Sequence, residues 1–101
     1  NADYPAYDHH KRKNKVIEVY FNNSKSLKTK NNQQLQGFIL IDEQGFTHQP
    51  QGISIQKNRV SIDLPTDKII TEIRYAYSPY STANLENESG VPASTCSFKI
   101  D

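Results

Sequence analysis

Over residues 15–21 apolar and polar positions alternate. Ile17, Val19 and Phe21 fall on one side and Val16, Glu18 and Tyr20 on the other, the two-residue period of a strand with one buried face. The sharpest pattern covers residues 53–64. With Lys57 and Asn58 as a two-residue turn, Gln56 faces Arg59, Ile55 faces Val60, Ser54 faces Ser61 and Ile53 faces Ile62, so every apolar residue lands on one side. A slip of one residue would turn one strand's apolar set to water, so the pattern fixes its own register. Residues 35–41 are apolar on both faces with Gly37 among them, as in a central strand buried between two layers. Asp42-Glu43-Gln44-Gly45 returns the chain, with Gly45 suited to a positive φ in a short hairpin loop, and Phe46 opens a partner strand that Pro50 ends. The longest strand-like run is 69–77, where alternation assigns Ile69, Thr71, Ile73, Tyr75 and Tyr77 to one face and Glu72 and Arg74 to the other. Cys96-Ser97-Phe98-Lys99-Ile100 makes a short last strand.

The stretches between these runs carry turn chemistry. Asn22-Asn23-Ser24-Lys25 is a turn cluster, 28–34 is a polar run expected to form a mobile loop, and Pro65-Thr66-Asp67 closes the second hairpin. Residues 78–94 form a long irregular loop, and a loop of that length in a compact domain is usually functional or packed against something. Residues 3–14 show no helical or strand period. The expected organisation is therefore a lead-in segment at 1–14, whose Asn1-Ala2 is compatible with a cloning remnant, and a single domain at 15–101. About seven strands joined by tight turns, with no helical period, define an all-β fold: an antiparallel β-sandwich or jelly-roll-like domain. There is no internal repeat.

Composition agrees with this. Val and Ile together outnumber Leu by 14 to 5 and Met is absent, a balance that suits pleated strands. A chain of 101 residues holds one core. With 12 basic and 11 acidic residues the net charge is +1, too little to hold a polyanion, so nucleic acid is not an expected partner. Cys96 is the single cysteine. It cannot form an internal disulfide and has no Cys or His at ligand spacing. No apolar run reaches ten residues, so neither a transmembrane helix nor a retained signal sequence is expected, and no membrane partner.

No catalytic constellation appears. A serine hydrolase needs a nucleophile on a Gly-flanked elbow and a histidine held by a carboxylate, and neither is visible. His9 and His10 sit in a charged cluster with Lys11, Arg12 and Lys13, and His48 stands beside Gln49; solvated surface histidines are the plainer reading, and no metal or cofactor is expected. Asp42-Glu43 sits on a turn, where exposure is again the plainer reading. The cluster 9–15 can meet phosphate or an acidic glycan, against which stands an ordinary solvated charge run. What remains is the set Arg74, Tyr75, Tyr77, Tyr80, Asn84 and Asn87, a candidate domain interface or sugar contact. Aromatic rings stack on sugars, but at alternating strand positions they more often fill cores or interfaces.

Those residues also carry a family resemblance. Arg74-Tyr75-Ala76-Tyr77-Ser78-Pro79, Asn84-Leu85 with Asn87, and Gly90-Val91-Pro92-Ala93-Ser94 resemble the C-terminal end of the sialate O-acetylesterase family, carbohydrate esterases with an SGNH-type hydrolase domain. That tail reads Arg-Tyr-Ala-Trp, Asn-Leu-Tyr-Asn, Gly-Leu-Pro-Ala-Ser and Phe-Arg-Thr-Asp. Upstream, Val19-Tyr20-Phe21-Asn22, Leu35-Gln36-Gly37-Phe38 and residues 42–46 resemble earlier segments of the same module. The chain departs from the pattern where Tyr77 replaces Trp, Glu86 replaces Tyr, Val91 replaces Leu, and Thr95-Cys96-Ser97 lengthens the approach to Phe98. The family's catalytic Ser block and Asp-x-x-His segment lie upstream of this module and have no counterpart here.

The resemblance implies a non-catalytic C-terminal β domain whose partner is the upstream hydrolase domain of the same polypeptide, bordering a cleft for an acetylated glycan, in a periplasmic or secreted enzyme. Two other readings stay open: a self-contained carbohydrate-binding module using Tyr75, Tyr77, Tyr80, Asn84 and Asn87, and an adhesion sandwich pairing through an edge strand.

Overall fold

A computed structural model describes residues 4–77 and 82–100. Its strands are β1 (Ala6–Lys13), β2 (Val16–Asn22), β3 (Lys28–Thr29), β4 (Phe38–Asp42), β5 (Thr47–His48), β6 (Ile53–Gln56), β7 (Arg59–Asp63), β8 (Ile70–Tyr75), β9 (Leu85–Glu86) and β10 (Cys96–Lys99). Seven of these span four residues or more and three span two. One four-stranded sheet runs β1-β2-β7-β6, a second runs β10-β8-β4-β5, and β3 pairs with β9 apart from both. All pairings are antiparallel. The fold is the all-β sandwich expected.

The core is made where alternation placed it. Ile17, Val19 and Phe21 of β2 and Val60 and Ile62 of β7 are buried from the first sheet, and Phe38, Leu40, Ile73, Tyr75 and Phe98 from the second. The β6–β7 hairpin has the register that its pattern dictates, Gln56 on Arg59 through Ile53 on Ile62. The β4–β5 turn uses Gly45 at φ 90°. β4 lies inside its sheet, between β8 and β5.

Four local expectations need correction. The segment read as a lead-in is largely a strand, because Ala6–Lys13 pairs along β2. Its period was hidden by a bulge at Asp8, since Tyr7 pairs with Phe21 but His9 with Tyr20, and by inward positions that hold Tyr7 and His10 where aliphatics would be expected. Both rings stack on Phe98, with centroids 4.4 Å and 4.9 Å away, and Tyr7 Oη lies 2.7 Å from His10 Nδ1. His10 is thus half-buried, while His9 stacks on the outer face against Tyr20 at 4.5 Å. In this way β1, at the edge of one sheet, and β10, at the edge of the other, close one side of the sandwich.

The second correction concerns β8. Ile41 pairs with Glu72 but Asp42 with Ile70, so Thr71 is an extra residue, and the bulge reverses the parity of what precedes it. Ile70 is buried and Ile69 is 62% exposed, the opposite of simple alternation. Third, residues 28–34 are tied down: Lys28 and Thr29 pair with Glu86 and Leu85, and a 3-10 turn follows at Lys30–Asn32. Fourth, Asp42 is only 4% exposed. Its Oδ1 accepts the Gln44 and Phe46 amides at 2.9 Å each, and its Oδ2 accepts from His48 Nε2 at 2.8 Å. The His48 bond, and then the two amides, hold this carboxyl below the usual range.

Candidate functional site: a groove on the open side

Among the described residues, no strand pairing closes the side of the sandwich opposite β1 and β10. β5 contributes two residues, with Leu40 on His48 its last pair with β4. Two residues further, the same register would set Phe38 against Pro50, which has no amide hydrogen to donate. β4 therefore begins without a neighbour there. Across the gap, β6 is the edge of the other sheet.

A groove of about 510 Å³ occupies this gap. Its apolar lining is Leu35, Phe38, Ile39, Pro50 and Ile53, and its polar lining is Gln34, Gln36, Gln49 and Thr82, with Tyr77 at its margin. Tyr77 lies just past the end of β8, after Ala76 at φ 55°, and is 57% exposed. The Arg74 guanidinium sits 4.7 Å from its ring centroid and is itself fixed by Glu72, Nε to Oε2 at 2.7 Å. Tyr77 thus presents an exposed ring braced by a cation whose charge already has a partner.

The wall formed by Gln34 and Gln36 is held from behind. Asn84 Nδ2 donates to the Gln34 carbonyl at 2.8 Å, and Asn84 Oδ1 accepts the Gln36 amide at 2.9 Å. Thr82 Oγ1 donates to Gln36 Oε1 at 2.6 Å. Gly37 follows at φ 114°, where a Cβ would come within 2.7 Å of Ala83 Cβ and 2.9 Å of Tyr75 Cε1. Only glycine lets the chain pass there into β4.

The remaining sequence candidates have structural places. Tyr75 is 1% exposed, its ring is tilted on Phe38 with centroids 4.7 Å apart, and its hydroxyl accepts the Leu85 amide at 2.9 Å. Burial pushes its phenol up to about 12. Asn87 is 5% exposed, and its Oδ1 accepts the Ser89 and Val91 amides at 2.9 Å and 3.0 Å, organising the turn before Pro92. Tyr80 lies outside the described residues. The structure thus brings Arg74 and Tyr77 together at the groove and sets Asn84 behind it. It also adds Gln34, Gln36, Gln49 and Thr82, which the sequence did not single out. Their nearest sequence signal is the polar run 28–34 breaking into apolar residues at Leu35.

The basic cluster near the first strand is dispersed. Lys11 lies over the Tyr20 ring at 5.4 Å, Lys13 pairs with Glu18 at 3.5 Å, and Arg12 Nε donates to the Asn14 carbonyl at 3.0 Å. A second depression, of about 430 Å³, borders Asp42, Lys15, Asp67 and Lys68. The Asp42–His48 pair beside it braces the β4–β5 turn, and among the described residues no hydroxyl or thiol is hydrogen-bonded to His48. Among the described residues no group of three His, Cys, Asp or Glu side chains is placed to hold a metal, and no helix is long and apolar enough to cross a membrane.

Fold and groove together define a small β-sandwich domain with an uncharged cleft on one edge. No protein-family model and no curated protein sequence matches it. In fold it is similar to a crystal structure of a carbohydrate acetylesterase from Xanthomonas citri, with a TM-score of 0.79 and 20% identity over 93% of this chain. The chain spans 22% of the length of that protein, so the likeness is to one segment of a much longer molecule, and it is a likeness of fold.

Proposed function

We propose that this chain is a non-catalytic C-terminal accessory β domain of a sialate O-acetylesterase-like carbohydrate esterase, packing on the hydrolase domain of the same polypeptide and bordering its cleft for an acetylated glycan. The observation that carries this reading is that the fold of 93% of the chain recurs as 22% of a carbohydrate acetylesterase. The contacts of the motif residues support it. Tyr75, Leu85, Asn84 and Asn87, which match the family tail, hold the closing loop onto the sandwich. Of the departures, Tyr77 is exposed, while Glu86 is mostly covered and pairs with Lys28 at 2.8 Å. Such a distribution suits a domain that keeps a family's scaffold while changing what it touches.

In this reading the parent enzyme cleaves an acetyl ester on a sugar with a serine nucleophile outside this chain. The test is turnover by the purified chain on p-nitrophenyl acetate and on acetylated sialic acid and xylan. Hydrolysis at the rate of buffer alone is expected. Saturable hydrolysis abolished by one substitution within the chain would overturn the reading.

A further inference from the structure

We infer that the groove beside Tyr77 is a binding site for an uncharged glycan, with Tyr77 as the stacking platform and Gln34, Gln36, Gln49 and Thr82 supplying hydrogen bonds to hydroxyls. This goes beyond the accessory role, because it gives the chain a ligand of its own and does not depend on which acetyl ester the parent cleaves.

The chemistry of the lining selects the ligand class. A pyranose ring has an apolar face of C–H bonds and a rim of hydroxyls that both donate and accept. The apolar face matches an exposed aromatic ring, and the rim matches primary amides, each offering two donors and an acceptor. The groove is lined by Tyr77 together with three glutamines, Gln34, Gln36 and Gln49, and Thr82. Its volume of about 510 Å³ lies within the roughly 300 to 1,000 Å³ typical of small-molecule sites.

Charge then narrows the class. No Asp, Glu, Lys, Arg or His is among the described lining residues. The nearest guanidinium, that of Arg74, is occupied by Glu72 and by the Tyr77 ring. A sialate or uronate carboxylate brought here would lose water without gaining a cation, whereas a neutral sugar loses nothing that the amides do not restore. Where the parent's glycan carries sialic acid, this groove suits the neutral residues of the same chain.

The site is also preorganised. The backbone of Gln34 and Gln36 is fixed by Asn84, and the Gln36 side-chain oxygen accepts from Thr82, which leaves the Gln36 amide hydrogens to donate. Less freedom is lost on binding when the wall is already held. Asn84 is accordingly a positioning residue, acting through the two glutamines.

The experiment is calorimetric titration of xylohexaose, cellohexaose and mannohexaose into the 101-residue chain, with sialyllactose as the charged comparison. Saturable binding of at least one neutral oligosaccharide is expected, unchanged by added salt because no ion pair forms. Tyr77→Ala should weaken it at least about tenfold through lost stacking, Tyr77→Trp should retain it, and Phe46→Ala, at an exposed ring that does not line the groove, should leave it as it was. Asn84→Ala should weaken it through the two glutamines while leaving unchanged the tyrosine fluorescence change at saturation that reports stacking on Tyr77. Circular dichroism of each variant confirms that it folds, which an exposed Tyr77 allows. Three results would overturn the inference: no saturable binding of any neutral oligosaccharide, unaltered binding by a folded Tyr77→Ala, or sialyllactose binding as tightly as the neutral sugars with a salt dependence. The esterase assay reads the accessory role separately, so either idea can fail alone.

Discussion

Tyr75 carries its hydroxyl into the core, where it accepts the Leu85 amide and so ties the closing loop to β8. Tyr75→Phe would leave that amide buried without a partner, at a cost of about 1 to 3 kcal/mol. Guanidinium unfolding measures it, and a variant as stable as the parent would show that the bond contributes nothing. The pH dependence of stability follows from similar single groups. Burial raises Cys96 from 9.0 to about 11 and Tyr75 from 10.0 to about 12, and burial raises Tyr7 as well. A group whose folded value is raised stabilises the fold below its unfolded value and stops doing so as pH climbs through the folded one. Stability should thus decline from about pH 9 upward. The opposite sign holds for Asp42, lowered first by the His48 hydrogen bond, and for Glu88, lowered first by its own backbone amide and then by that of Ser26. Their contribution is present above the usual values of 3.8 and 4.5 and is lost as pH falls through the folded ones. Thermal melts across pH should show a plateau from roughly pH 5 to 9, and Asp42→Asn should flatten the acid limb. Sequence alone marked Tyr75, Asn84 and Asn87 as unusual. For Tyr75 its strand position already favoured a core or interface place; that Asn84 and Asn87 serve the scaffold was not legible, because it depends on which backbone groups the fold brings near them.

At the scale of elements, β1 is the strand that closes the sandwich. Removing residues 1–13 would bare the edge of β2 and uncover Phe98, and an exposed edge with an apolar face pairs with other chains. The truncated chain should therefore melt at markedly lower temperature and self-associate, as read by calorimetry and light scattering; a monomer of unchanged melting temperature would refute the closing role. Tyr7→Ala, which removes one of the rings on Phe98, should cost roughly 2 kcal/mol or more. Where strands were regular, alternation was enough: the β6–β7 register followed from apolar parity alone. It failed at β1 and at the start of β8 through a bulge in each, and at β1 also because Tyr7 and His10 fill the inward positions. A bulge inserts a residue without leaving a mark in the polarity pattern, so Asp8 hid one strand and Thr71 inverted which of Ile69 and Ile70 faces inward.

The whole molecule is asymmetric. One side of the sandwich is sealed by the stack of Tyr7 and His10 on Phe98; on the other, the described residues leave a groove where Pro50 stops β5 and the glutamines stand with Tyr77. Pro50 was legible as the end of a strand. The groove was not, because its residues come from separate segments spread between positions 34 and 82 and only the packing of two sheets assembles them. The cleft has no charged side chain among its described lining residues, and the fold recurs over 22% of the length of a carbohydrate acetylesterase. The most direct measurement is the coding sequence upstream of this chain in its gene. The proposed accessory role requires an SGNH-type hydrolase region there with its Asp-x-x-His segment in the same reading frame, and a natural start codon with no such region before it would contradict that role.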